Sequence, residues 1–193
     1  MPKRFSKFEA EIRKPKDYDG EIAAMAREGK GAAEIYEALT LREVGAAADI
    51  LRSVHDRTQG LDGYVSLEVN PLLASDRDST VSEAKRLFAA LDRPNVMIKI
   101  PATPEGVEAI EDCIAEGVNV NSTLIFSAAQ YASVAEAYIR GLEARALQRL
   151  PLAVASVASV FVSRVDTAVD KLLAAKDETT LLGRTAFYCT IRA

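Results

Sequence analysis

Asn95-Val-Met-Ile-Lys-Ile-Pro-Ala-Thr-Pro-Glu-Gly106 is the stretch on which the reading of this chain turns. Val96 to Ile100 is a short apolar run suited to a strand buried on both faces, and Arg93-Pro94-Asn95 turns the chain into it. Thr103-Pro104 then supplies an N-cap and a first-turn proline. Val107, Ile110 and Ile114 follow at helical spacing, and Gly117 is placed to end the helix. A strand that passes directly into a helix is one half-turn of a βαβ unit.

The same change of period recurs on both sides. Tyr64 to Val69 reads as a strand ended by Asn70-Pro71, and Thr80-Val-Ser-Glu83 is a capping box ahead of Val81, Ala84, Leu87, Phe88 and Leu91. Val118 to Phe126 reads as a third strand. Ser127 caps a helix carrying Tyr131, Val134, Tyr138 and Leu142 on one face. Val154 to Val162 is a fourth strand, followed by the stripe Val165, Ala168, Val169, Leu172 and Leu173. Residues 17–55 look helical throughout, with a second capping box at Thr40-Leu-Arg-Glu43.

Strict alternation predicts an α/β fold with a parallel sheet. Four such units are half of a closed eight-stranded barrel, which typically needs ~250 residues. An open doubly wound sheet would carry a glycine-rich nucleotide loop after a strand. Gly29-Lys30-Gly31 is too short and follows a helix. The expected fold is therefore a parallel (β/α) barrel of the TIM type, incomplete in this chain.

The 193 residues suit a single domain over 1–193, and 49% are hydrophobic, far above the disordered range. A net charge of −4 and a pI near 5.2 give no global field to attract nucleic acid or an anionic membrane, so neither is an expected partner. Cys113, Cys189 and a lone His55 make neither a zinc cage nor a disulfide framework; no metal is expected, and the natural compartment is a reducing cytoplasm. The basic start runs into Glu9, Glu11 and Arg13 instead of an apolar signal core. The longest apolar stretch, Val154–Val162, is broken by serines. A soluble protein is expected.

Several strands carry polar residues toward their C-terminal ends, where a parallel barrel gathers side chains from different strands. Glu68 and Lys99 lie near the ends of the first two. Asn119, Asn121 and Thr123 share one parity on the third. Ser159 and Phe161 share one on the fourth, with Arg164 just beyond. Lys99 alone could be a snorkelling strand-end lysine. Its neighbours Met97, Ile98, Ile100 and Pro101 would favour the neutral amine, the form that attacks a sugar carbonyl to make a Schiff base. Glu68 could relay protons or simply pair with Lys99. Asn121 and Thr123 could hold substrate hydroxyls or water, or form a satisfied polar layer. Asn119 fits packing or hydrogen bonding. Arg164 suits a phosphate, or an ion pair with Asp166 or Asp170. His55 reads as a solvated helix end.

Together these residues resemble the transaldolase family. The likeness is carried by Val65-Ser-Leu-Glu-Val-Asn-Pro71, Asn95–Gly106, Gly117-Val-Asn-Val-Asn-Ser-Thr-Leu-Ile-Phe-Ser127 and Ala155-Ser-Val-Ala-Ser-Val-Phe-Val-Ser-Arg-Val-Asp166, and runs from about Tyr18 to about Gly183. The resemblance implies a (β/α)₈ barrel without cofactor or metal. It implies a transferase of the pentose phosphate pathway that moves a dihydroxyacetone unit between sugar phosphates through a lysine Schiff base. Sedoheptulose 7-phosphate and glyceraldehyde 3-phosphate would yield erythrose 4-phosphate and fructose 6-phosphate. Lys99 would be the Schiff-base lysine, Glu68 the carboxylate assisting proton transfer through water, and Asn121 and Thr123 would position that water and the substrate hydroxyls. Ser159 and Arg164 would hold the phosphate, with Phe161 packed at the site. Phosphorylated sugars are the implied partners; homo-oligomerisation is left open.

The family pattern has two earlier strands, bearing an aspartate and an asparagine, and two later ones, the first with a second phosphate-binding arginine; none has a counterpart here. Residues 187–193 diverge from the family. The expectation is a segment matching strands three to six, with open sheet edges and at most a trace of turnover by itself. The alternatives are an impaired fragment of a transaldolase that associates with another polypeptide, and a smaller fructose-6-phosphate aldolase using the same lysine chemistry.

Overall fold

A computed structural model describes residues 18–186; the divergent tail at 187–193 lies outside them. The chain divides into two compact units, Met1–Glu43 and Val44–Ala193. In the first, helix α1 (Asp19–Arg27) precedes the start of helix α2 (Ala32–Arg57). The helical reading of 17–55 is thus interrupted at Gly29, whose φ of +86° suits a residue without a side chain. Arg42 pairs with Glu21 and Glu43 and lies 5.4 Å over the Tyr18 ring.

The second unit holds β1 (Val65–Glu68), α3 (Arg77–Leu91), β2 (Val96–Pro101), α4 (Pro104–Ala115), β3 (Val120–Ile125), α5 (Ala128–Leu147), β4 (Ser156–Val160) and α6 (Ser163–Ala174). The four strands form one parallel sheet in the order β1-β2-β3-β4. Each strand lies beside the next in sequence, the order in which a parallel barrel is built. The central strand β2 is buried at every residue except half-exposed Lys99, as its apolar run predicts. β4, an edge strand among the described residues, has no fully buried residue.

Local chemistry accounts for several element boundaries. Thr103 Oγ1 accepts from Gly106 N at 3.0 Å with Pro104 in the first turn, and Ser127 Oγ accepts from Gln130 N at 3.2 Å. Gly117 follows α4 with φ +88°.

Two capping boxes are overturned. Helix α3 starts earlier, capped by Asp76 accepting from Ser79 N. Thr80 is buried within it and donates to Leu73 O, while Glu83 accepts from Asn70 N. Asp76, Asp78, Ser79 and Thr80 are all cap-competent, and burial of Thr80 selects the first. Thr40 lies inside α2 and donates to Tyr36 O, because nothing upstream of it breaks the helix. On α5 the buried positions are Val134, Ala137, Gly141 and Arg145, so the expected stripe rotates and leaves Tyr131 exposed. Arg145 donates to the Pro151 and Ala115 carbonyls.

Candidate active site

Strand register assembles the site. Glu68 pairs with Lys99, Lys99 with Asn121, and Asn121 with Val157, so these four side chains occupy one level and one face of the sheet. Pro101 and Thr123 form the next level toward the strand ends. Lys99 is half-buried and Glu68 exposed. Although adjacent in register, they form no ion pair with each other among the described residues.

Asn121 bridges three strands. Its Nδ2 donates to Ser66 Oγ on β1 at 3.0 Å, and its Oδ1 accepts from Ser159 Oγ on β4 at 2.8 Å. β1 and β3 are separated by β2, roughly 9–10 Å apart on a flat sheet. A direct bond between their short side chains requires a concave face, the curvature of the inside of a barrel. Ser159, expected at a phosphate, thus spends its hydroxyl proton on Asn121. Ser66 was missed by sequence reasoning, although it shares Glu68's parity two residues earlier.

Thr123 is fully buried, and its Oγ1 has no hydrogen-bond partner among the described residues. The following Leu124 has φ +61° and sits in a register shift between β3 and β4. A leucine in the left-handed region costs of order 1–2 kcal/mol, and such bulges concentrate beside functional sites. Asn119 is structural: its Nδ2 donates to the Pro94 and Val96 carbonyls and its Oδ1 accepts from Ala155 N.

Phe161 and Arg164 form the outer part. The Arg164 guanidinium lies 4.3 Å from the Phe161 ring centroid, and Phe161 stacks on Phe126 at 5.6 Å and 22°. The alternative partners of Arg164 are engaged elsewhere: Asp166 accepts from Ala186 N and Asp170 from Gly183 N. Arg164 is exposed on the first turn of α6. Its cation–π contact holds the planar donor fork beside the strand ends without neutralising it.

Two remaining candidates fall outside the site. His55 is not solvated; its side chain is 14% exposed, 3.3 Å from Asp56 and edge-on to Tyr64 at 5.1 Å. Cys113 is buried in α4, and desolvation pushes its thiol up to about 12, so it is no nucleophile. Among the described residues no three His, Cys, Asp or Glu side chains are placed to share a metal ion, and no helix is long and apolar enough to cross a membrane.

Comparison with known proteins gives the same frame. The family model described as Transaldolase/Fructose-6-phosphate aldolase matches residues 6–187. Similar curated proteins include the transaldolase of Trichodesmium erythraeum, 48% identical over 86% of this chain and 44% of its own length. The transaldolase of Thermobifida fusca is 49% identical over 88% of this chain and 47% of its own. That of Saccharopolyspora erythraea is 51% identical over 81% and 43%. The chain therefore spans a little under half the length of these relatives. With the family model matching nearly all of it and four parallel strands in barrel order, the chain belongs to the transaldolase/fructose-6-phosphate aldolase family.

Proposed function

We propose that the concave face carries Schiff-base chemistry on phosphorylated ketoses, of the transaldolase type, in the cytoplasm. The observation that carries this reading is Lys99: one half-exposed lysine in an otherwise buried central strand, level with Glu68 and Asn121 and unpaired with the carboxylate. The Lys99 amine adds to the ketose C2 carbonyl and water leaves, forming an imine. Glu68 moves protons through water, and the Thr123 hydroxyl, which has no hydrogen-bond partner among the described residues, holds that water. Imine formation lets the C3–C4 bond break. The C4 hydroxyl gives up its proton to water as the bond breaks, an aldose phosphate departs, and a three-carbon enamine remains on Lys99 until an aldehyde accepts it.

An acceptor-dependence assay tests the transferase reading. The trace of fructose 6-phosphate loss expected of the chain by itself should require erythrose 4-phosphate. Equal loss without acceptor would overturn it in favour of an aldolase.

Arg164 supplies the phosphate contact, with Ser159 acting through Asn121. Arg164→Ala should raise the fructose 6-phosphate concentration giving half-maximal Lys99 adduct about tenfold, the effect of one charge-assisted hydrogen bond. The same measurement with dihydroxyacetone should be unchanged. Equal shifts for both ketones would make Arg164 a packing residue for Phe161.

A further inference from the structure

We infer that Ser66 is a positioning residue: with Ser159 it clamps the Asn121 carboxamide from both ends and sets how that amide faces a ketone held on Lys99. This rests on the Lys99 reading and deepens it.

An asparagine amide on a strand rotates freely about its last torsion unless both ends are held. Here both ends are held, by hydroxyls from opposite sides. Ser159 donates to Oδ1 at 2.8 Å, and Nδ2 donates to Ser66 at 3.0 Å. The clamp joins β4, β3 and β1, skipping β2, the strand that carries Lys99. The Asn121 amide consequently crosses β2 between Lys99, the register partner of Asn121, and Met97, the register partner of Ser66. One amide proton is spent on Ser66, and the second remains for a hydroxyl of a substrate tethered to Lys99. Ser66 stands two residues before Glu68, the β1 residue level with Asn121 through Lys99, so the clamp runs diagonally across the pairing register, as side chains from alternate strands do in the layers of a tilted parallel barrel. Nothing else holds the amide: no backbone group bonds the Asn121 side chain among the described residues.

Two measurements test this, one without any ligand. Side-chain amide proton exchange of Asn121, read by ¹⁵N NMR, should speed up in Ser66→Ala and in Ser159→Ala and stay at the wild-type rate in Ser66→Thr, which keeps the hydroxyl. Unchanged exchange in both alanine variants would show that the clamp does not exist. The second measurement is borohydride-trapped adduct formation. Ser66→Ala should slow trapping of fructose 6-phosphate about three- to tenfold, the range for one neutral hydrogen bond. Trapping of acetone, which has no hydroxyls for the amide to read, should be unchanged, and Ser66→Thr should restore the fructose 6-phosphate rate. In an Asn121→Ala background, Ser66→Ala should have no further effect. Equal slowing of both ketones, or an undiminished effect without Asn121, would overturn the positioning role. No adduct in the wild-type chain with either ketone would contradict the Lys99 reading and this purpose of the clamp. The exchange experiment would still decide whether the clamp is there.

Discussion

Gly106→Ala should destabilise the second unit by roughly 3 kcal/mol or more, the upper range for forcing a methyl into a packed site. In a protein of this size that is a fall in Tm of about 6–12 °C. Alanine in place of a helical glycine ordinarily stabilises by up to about 1 kcal/mol, so the sign is decided by space. A Cβ at residue 106 would lie 1.9 Å from the Pro101 carbonyl oxygen and 2.8 Å from Thr103 Oγ1. The carbonyl belongs to the last residue of β2 and cannot swing aside as a side chain could. Thr103 is equally committed, since its hydroxyl caps Gly106 N and donates to Ala74 O at 2.6 Å. The start of α4 must therefore move off the end of the strand that carries Lys99. Melting by circular dichroism checks it; a Gly106→Ala variant that melts at or above the wild-type temperature would contradict this packing.

The same few residues explain what could be read before the fold was known. Thr103-Pro104, Ser127 and Asn70-Pro71 act through bonds to chain a few residues away, so their meaning survives in sequence. Polar residues at strand ends were legible because a strand buried on both faces should not contain them. The capping box at Thr80 misled because neighbouring cap-competent residues competed, and burial against Leu73 decided among them. Thr40 misled because a hydroxyl can bond back into the preceding turn as readily as it can start a helix. Ser66 was legible only as a residue on the face of Glu68; its contact was not, because its partner lies two strands away and is reached only across a concave face. Leu124 gave no warning either, since leucine carries no preference for positive φ. The contact made by Ser159 needed geometry: a serine near a phosphate-suited arginine reads as a phosphate ligand, and the sequence does not show that its hydroxyl donates to Asn121 Oδ1.

Lys99→Met should abolish ketone-dependent adduct formation altogether. Methionine matches the length of the lysine stem but has no amine, so the strand stays packed while the nucleophile is lost. The most direct measurement is to incubate the wild-type chain and Lys99→Met with fructose 6-phosphate, reduce with borohydride, and locate the added mass by peptide mapping. This follows bond formation at the amine and is independent of the base needed for carbon–carbon cleavage. The account predicts one modified peptide in the wild-type chain, with the mass on Lys99, and none in Lys99→Met. An adduct on a different lysine, or one that persists in Lys99→Met, would contradict it.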